Sequence, residues 1–190
     1  MLSSNKFLTG KARLQQTDRK RVWKLLDNII YKAKNGKIYM APRNMYTDCY
    51  TIPLWAAPFG GSPIDYDTRA SIMHDCVCYI HGAILIKLTE KELRDKGYLR
   101  FSDKNNMWVC EDIPAEFLYT EEMGKMEANN LLYECMEATE IPLIDRIKLR
   151  TGTIFNIGWI IDLWTNKVFN VDLNKVYEEE YWRENVPVRR

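Results

Sequence analysis

Two runs of strand-forming residues flank a turn signal in the first quarter of the chain. Residues 22–31 are rich in β-branched, aromatic and other apolar residues, and a similar run occupies residues 38–41. The dipeptide Asn35-Gly36 lies between them, and Asn-Gly is typical of tight turns in which both central residues have positive φ. The pattern therefore predicts an antiparallel β-hairpin.

A helical pattern follows a proline-rich segment. Asp65, Asp67 or Thr68 can cap a helix that runs to Ile80, because short polar side chains accept hydrogen bonds from the first backbone N–H groups of a helix. Gly82 comes just after the expected end, where a left-handed residue commonly stops a helix. The pattern predicts a helix of about three turns.

The rest of the chain divides into shorter predicted elements. Residues 84–86 are apolar and predict a short strand, and residues 90–94 predict a polar helical turn. Apolar positions at helical spacing predict a second helix over about 115–138, and a third over 143–164 that Pro142 opens. After Thr165 the chain is polar and charged, and its acidic run at 178–180 predicts a solvated face.

These elements predict an α+β fold with an N-terminal β-hairpin or small sheet, a proline-rich loop over 42–63 and about three packed helices. The 190 residues fit a single domain, 1–190, with a polar C-terminal extension from about 165 to 190.

Composition narrows the classes of function. Lys and Arg number 27 against 26 Asp and Glu, so the net charge is +1 and no nucleic-acid partner is expected. The basic run at 19–21 is interpreted as a solvated start to a strand.

Five cysteines are an odd count without repeated spacing, which indicates reduced thiols in a cytoplasm. The N-terminus lacks the apolar core of a signal peptide, and the apolar stretch 154–164 is too short to cross a bilayer, so the protein is not expected to be transmembrane.

The candidate chemistry lies where a Gly-Gly loop precedes a His-Asp pair. His74 can act as a general base, because imidazole titrates nearest to neutral pH. The Asp75 carboxylate and the backbone carbonyls of Phe59, Gly60 and Gly61 are oxygen ligands of the kind that Ca²⁺ accepts. The cation would polarise an ester carbonyl and stabilise its oxyanion.

Orienting the imidazole requires an acidic group from another helix. Glu127, on the second predicted helix, is the candidate.

Two other interpretations of this segment stay open. His74, Cys78 and His81 share one face of the predicted helix and are ligand types for Zn²⁺, with Glu127 or water as the fourth ligand. This spacing on a single helix is unusual for zinc. Alternatively, His74 and Asp75 form hydrogen bonds at a buried junction and have a structural role only.

Four segments together resemble a phage and prophage family, DUF1353 (domain of unknown function 1353). They are IYMAP at 38–42, YTDCYTIPLW at 46–55, ASIMHD at 70–75 and EANNLLYECM at 127–136. The similarity covers about residues 20–160 in the family's order. This chain departs from the family pattern at three positions: Thr51 replaces Ser, Glu127 replaces Asp, and Cys78 replaces an aromatic residue.

Residues 59–75 are also similar to the calcium loop and His-Asp helix of secreted phospholipases A₂. This resemblance implies that His74 is the general base, that Asp75 and the carbonyls of Gly60 and Gly61 bind calcium, and that Glu127 orients His74. The half-cystine pair of those enzymes is absent, since Ala70 and Ser71 stand there.

Together the two resemblances imply a phage-encoded, calcium-dependent hydrolase that cleaves an ester, such as a lipid. It would be made in the host cytoplasm. The alternative is a non-enzymatic accessory or virion protein that binds a host or phage protein and keeps a degenerate His-Asp site. Cys78 and Glu127 favour this alternative.

Overall fold

A computed structural model describes residues 5–18, 22–47, 67–139, 141–144, 146–147 and 171–185. Their mixture of antiparallel sheets and packed helices confirms the predicted α+β class. The strands are β1 (Lys6–Phe7), β2 (Leu14–Gln16), β3 (Trp23–Leu25), β4 (Ile29–Lys32), β5 (Ile38–Ala41), β6 (Tyr46–Thr47), β7 (Gly82–Ile86), β8 (Leu99–Ser102), β9 (Met107–Cys110) and β10 (Leu118–Glu122). The helices are α1 (Arg69–Ile80), α2 (Glu90–Asp95), α3 (Lys125–Ala138) and α4 (Glu179–Asn185), with a 3₁₀ turn at Ala115–Phe117.

Three antiparallel sheets form the β part of the described structure. The main sheet has five strands in the order β1-β4-β5-β7-β10, a second has the order β2-β3-β6, and β8 pairs with β9. All five residues of β7 are buried, and this strand lies between β5 and β10. Helix α1 packs on β5, β6 and β7 and against α3, so α1 covers the centre of the main sheet, whereas α3 contacts its edge strand β1.

The predicted hairpin is confirmed for β4 and β5, but residues 23–25 of its predicted first strand form β3 in another sheet, and its turn differs from the predicted type. Strands β4 and β5 pair with Lys32 opposite Ile38, and Ala33 donates its N–H to the carbonyl of Lys37. Gly36 has φ +85°, whereas Asn35 is not among the described residues with positive φ. The loop is thus a three-residue connection in which only the last residue must be left-handed. That geometry is a second common way to close a hairpin.

Helix α1 has the predicted start and the predicted last residue, Ile80. The residue that stops it differs from the prediction, which named Gly82. Thr68 is the N-cap residue, and the Asp67 side chain accepts the N–H of Arg69 at 3.0 Å. At the other end His81, with φ 51°, adopts the left-handed conformation that was expected near Gly82. Gly82 already belongs to β7 and pairs with Glu122. A single residue therefore connects the helix to the central strand.

The predicted helix over 115–138 is wrong in its first half. Residues 118–122 form strand β10, which pairs with β7 over its whole length, and the helix begins only at Lys125. Pairing between distant segments decided this structure, because a strand beside β7 satisfies that strand's backbone groups. Met126, an apolar residue within the predicted helix, is exposed.

The short predicted elements at 84–86 and 90–94 are confirmed as parts of β7 and α2. Helix α2 starts with a reciprocal cap, in which Thr89 and Glu92 bond each other's backbone N–H groups. None of the helices in the described ranges is long and apolar enough to cross a membrane.

The C-terminal segment 171–185 folds back onto the sheets, and the acidic residues 178–180 are exposed, as predicted. Glu179 bonds Lys24 at 2.8 Å and the Tyr46 hydroxyl at 2.9 Å. Trp182 is fully buried and donates its indole N–H to the carbonyl of Val176. The segment therefore contacts β3 and β6. Strand β6 lies within the predicted proline-rich loop 42–63, so that prediction is wrong at residues 46–47, which pair with β3.

Several predictions lie outside the described residues. They are the basic run 19–21, the Gly-Gly loop with Phe59, Gly60 and Gly61, and the helix over 143–164 apart from helical backbone at 143–144 and 146–147.

Candidate functional site

His74 lies on the buried face of α1, where that helix packs against α3. Its Nε2 is 3.3 Å from Oδ1 of Asn129 on α3. An amide oxygen accepts only, so this contact is a hydrogen bond in the tautomer that carries the proton on Nε2 and the lone pair on Nδ1. Burial lowers the pKa of His74 to about 4, and the hydrogen bond to Asn129 opposes this shift. The imidazole is therefore neutral at physiological pH.

Asp75 is also buried, and it points to a different neighbour. Its carboxylate accepts a hydrogen bond from the Thr47 hydroxyl, which lies at the end of β6. Thr47 is the last described residue before the segment that contains the Gly-Gly dipeptide, and Asp67 is the first after it. The Asp75 carboxylate is thus fixed beside the point where that segment leaves the sheet.

A thiol completes the surroundings of His74. Cys78 lies one helical turn further along α1, with its Sγ 3.5 Å from His74 Nε2 and 3.9 Å from Nδ1. Cys76 is different: its Sγ contacts the carbonyl of Met40, and burial raises the pKa of its thiol to about 12. Of these two thiols, Cys78 is the one that contacts the imidazole.

Glu127, predicted to orient His74, has another contact in this structure. Its side chain is exposed, and its Oε2 accepts the N–H of Gly124 at 2.8 Å, so it caps the first turn of α3. The side chain of α3 that hydrogen-bonds His74 is Asn129, two residues later. Positions two apart on a helix point to nearly opposite sides, so one residue caps the helix while the other reaches the imidazole.

Sequence reasoning missed Asn129 because it searched for an acid. A signal was present: Asn129 lies three residues before Leu132 and seven before Met136, on the stripe of α3 that is buried. A polar side chain on such a stripe usually has a buried hydrogen-bonding partner. The stripe therefore indicates Asn129, and not Glu127, as the partner.

Only some of the predicted ligands of the calcium and zinc sites lie among the described residues. For calcium, Asp75 is a buried carboxylate that accepts the Thr47 hydroxyl, and a carboxylate is the type of oxygen ligand that calcium binds. The carbonyl ligands Phe59, Gly60 and Gly61 lie outside the described residues. For zinc, the described ranges contain no group of three or more His, Cys, Asp or Glu side chains placed to hold a metal ion.

A polar cavity of about 560 Å³ lies away from His74, between β8–β9 and the turn after β3. Three arginines and three acids that line it pair with one another, so the cavity offers no surplus charge to select a ligand. The pairs are Arg13–Asp27, Arg43–Asp112 and Arg100–Glu111.

Comparison with known proteins gives one match. A family model described as "Protein of unknown function (DUF1353)" matches residues 23–149, a region that contains His74, Asp75, Cys78 and Asn129. No curated protein and no solved structure matches the chain. The resemblance to phospholipases A₂ therefore stays a prediction.

Proposed function

Because this chain belongs to the DUF1353 family and buries a neutral, hydrogen-bonded histidine within the family region, we propose that it is an ester hydrolase with His74 as general base. The observation that carries the proposal is the hydrogen bond between His74 Nε2 and Asn129 Oδ1. It leaves the basic lone pair on Nδ1 and fixes the orientation of the ring, as a positioning residue does for a catalytic histidine.

In the proposed reaction, Nδ1 of His74 takes a proton from water while the water oxygen attacks the ester carbon. The alcohol then leaves with the proton that the imidazolium returns, so the protein ends unchanged. A general base of this kind contributes about 10²–10⁴-fold to the rate. Asn129 carries no charge and does not stabilise the imidazolium as a carboxylate would, which agrees with the low pKa of His74.

Asp75, with Phe59, Gly60 and Gly61, would hold a calcium ion that polarises the ester carbonyl. Thr47 would then fix the carboxylate by its hydrogen bond to Asp75. A phospholipid ester is the proposed substrate class, from the similarity of residues 59–75 to phospholipases A₂.

The test is hydrolysis of a fluorescent phospholipid and of a soluble short-chain ester, each with calcium and with EDTA. We expect His74→Gln to lower the rate at least about 100-fold. His81→Asn, the matched control, keeps the rate because asparagine also tolerates the left-handed conformation of position 81. Equal activity of wild type and His74→Gln would contradict the proposal.

A second variant tests the positioning role. Asn129→Asp places a negative charge beside His74 Nε2 and should raise the pKa of the imidazole, which the pH dependence of the rate and NMR titration both report. Asn130→Asp, at the neighbouring exposed position, should leave that pKa unchanged. A His74 pKa that is the same in all three proteins would exclude the Asn129 contact.

A second candidate function is binding to a phage or host protein without catalysis. Three large apolar side chains are exposed within five residues of one another in the segment after α3, and a cluster of exposed apolar groups favours a protein partner. They are Leu143, Ile144 and Ile147. This candidate predicts no hydrolysis by the wild type and lower stability of His74→Gln.

A further inference from the structure

The β8–β9 hairpin carries a pair of exposed aromatic rings near its turn. Phe101 and Trp108 are opposite each other in the strand register, and their ring centroids are 6.0 Å apart. Leu99 and Cys110, two residues further from the turn on the same face, are buried, whereas Phe101 is 45% exposed and Trp108 is 36% exposed. The apolar face of the hairpin therefore continues beyond the core into solvent, where a partner can cover it.

A cluster of positive side chains lies beside this aromatic pair. Three cations surround the carboxylate of Glu90: Lys6 at 3.0 Å, Lys32 at 3.2 Å and Arg94 at 3.1 Å. We call these four residues the Glu90 cluster. The Glu90 side chain is 17% exposed and that of Lys6 is 47% exposed, so the carboxylate lies beneath the cations. One carboxylate among three cations leaves two positive charges uncompensated within the cluster.

Arg94 joins the cluster to the aromatic pair. Its guanidinium carbon lies 4.2 Å from the centre of the Trp108 ring, while its Nη2 bonds Glu90. The two features therefore form one continuous surface, with cations at one side and exposed rings at the other. Proteins that lie on anionic bilayers combine the same groups, since aromatic rings settle at headgroup level and lysine or arginine attracts the anionic lipid.

We propose that the Phe101–Trp108 pair and the Glu90 cluster together bind the surface of an anionic lipid bilayer. The choice of lipid rests on the proposed function, in which the substrate is a phospholipid ester. Single-stranded nucleic acid is also anionic, but its bases stack on free ring faces. Arg94 covers one face of Trp108, and the two aromatic rings meet at 77°, so they offer no flat platform for bases.

The first test is co-sedimentation of the full chain with vesicles of phosphatidylcholine, with and without phosphatidylglycerol. We expect binding only where phosphatidylglycerol is present, and weaker binding as salt is added, because salt screens the charges. Arg94→Gln should weaken binding about fivefold, the contribution of one cation near an anionic surface. Arg100→Gln, the matched control, removes the same charge from the opposite face of the hairpin, where Arg100 pairs with Glu111, and should bind like the wild type.

The aromatic pair is tested with a variant that keeps a ring at position 108. Trp108→Phe should still bind the vesicles, but brominated lipid should quench its tryptophan fluorescence less than that of the wild type. Trp108→Ala should weaken binding, whereas Leu26→Ala, which removes a similarly exposed apolar side chain beside the polar cavity, should not. Near-ultraviolet circular dichroism verifies that each variant is folded.

Three results would overturn the lipid surface: no binding of the folded wild type to phosphatidylglycerol vesicles, an equal loss in Arg94→Gln and Arg100→Gln, or binding to single-stranded DNA in preference to vesicles. If both proposals hold, the ratio of vesicle to soluble-ester hydrolysis should fall in Trp108→Ala and not in Leu26→Ala. Vesicle binding without any hydrolysis would refute the proposed function and leave the surface intact. Hydrolysis of the soluble ester by a protein that binds no vesicles would do the reverse.

Discussion

His74 is uncharged because burial disfavours the protonated imidazole, and this has a cost under acid conditions. Its pKa is about 4 in the folded protein against an ordinary value of 6.5, which an unfolded chain would have. The hydrogen bond to Asn129 favours the protonated ring, but it supplies no charge and does not offset the effect of burial. Below pH 6.5 the unfolded chain therefore binds a proton that the folded protein does not.

The free energy of unfolding should consequently decrease as the pH is lowered. The contribution of His74 is fully present above pH 6.5 and is lost progressively as the pH falls to about 4. The loss is about 3 kcal/mol, since a tenfold difference in proton affinity corresponds to about 1.4 kcal/mol. Urea unfolding at several pH values measures it. His74→Gln should flatten this dependence and His81→Asn should not; an unchanged slope in His74→Gln would refute the assignment.

At the scale of elements, the sequence predicted correctly those helices and turns that depend on residues adjacent in the chain. The hairpin around Gly36, helix α1 with its polar start and helix α2 with its Thr89 cap all carry such signals. The strand β10 carried only a short signal, Tyr119 and Thr120. Its pairing partner β7 lies some thirty residues earlier, and that pairing makes residues 118–122 a strand.

The residues of the candidate site also fall into those with a local sequence signal and those without one. His74 and Asp75 follow from a local pattern, whereas Asn129 and Thr47 reach them from other elements. Contacts between elements depend on which helix face packs where, and Glu127 had the expected charge on the wrong face of α3.

Gly82 allows β7 and β10 to approach closely. A Cβ at this position would lie 2.6 Å from the backbone oxygen of Glu121, which cannot move without breaking the pairing of the two strands. Gly82→Ala should lower the free energy of unfolding by about 1–3 kcal/mol and speed hydrogen exchange in β10, as mass spectrometry would show.

Gly36→Ala is the comparison for Gly82→Ala. Position 36 is open, with no atom within 4 Å of the added Cβ, and its only strain is the φ of +85°. Its cost should be about 1 kcal/mol, without faster exchange in β10. Equal exchange in β10 for both variants would show that the contact with Glu121 is unimportant.

At the scale of the whole molecule, the C-terminal segment contacts β3 and β6, and β6 supplies Thr47 to the site. The Tyr177 hydroxyl accepts the N–H of Ile113 and donates to the carbonyl of the same residue. Glu179 bonds Lys24 on β3 and Tyr46 on β6. The next residue of β6, Thr47, holds Asp75. Packing of the C-terminal segment and placement of the Asp75 carboxylate therefore depend on the same strand.

Trp182 anchors this segment. Trp182→Ala should lower the free energy of unfolding by about 3–5 kcal/mol, because a large, fully buried side chain leaves a cavity. Trp108→Ala is the control: that ring is partly exposed and should cost less, even though Arg94 lies over its face at 4.2 Å. Denaturant unfolding compares the two. Similar losses would mean that residues 171–185 add little to the core.

The single-residue junction between α1 and β7 makes the stretch from His74 to Gly82 a spacer of fixed length. One inserted residue would turn His74 by about 100° around the helix axis, away from Asn129. One deleted residue would turn it by the same angle in the other direction. Members of this family that use the histidine in the same way should therefore align through residues 74–82 without gaps, whatever the length of their loops elsewhere.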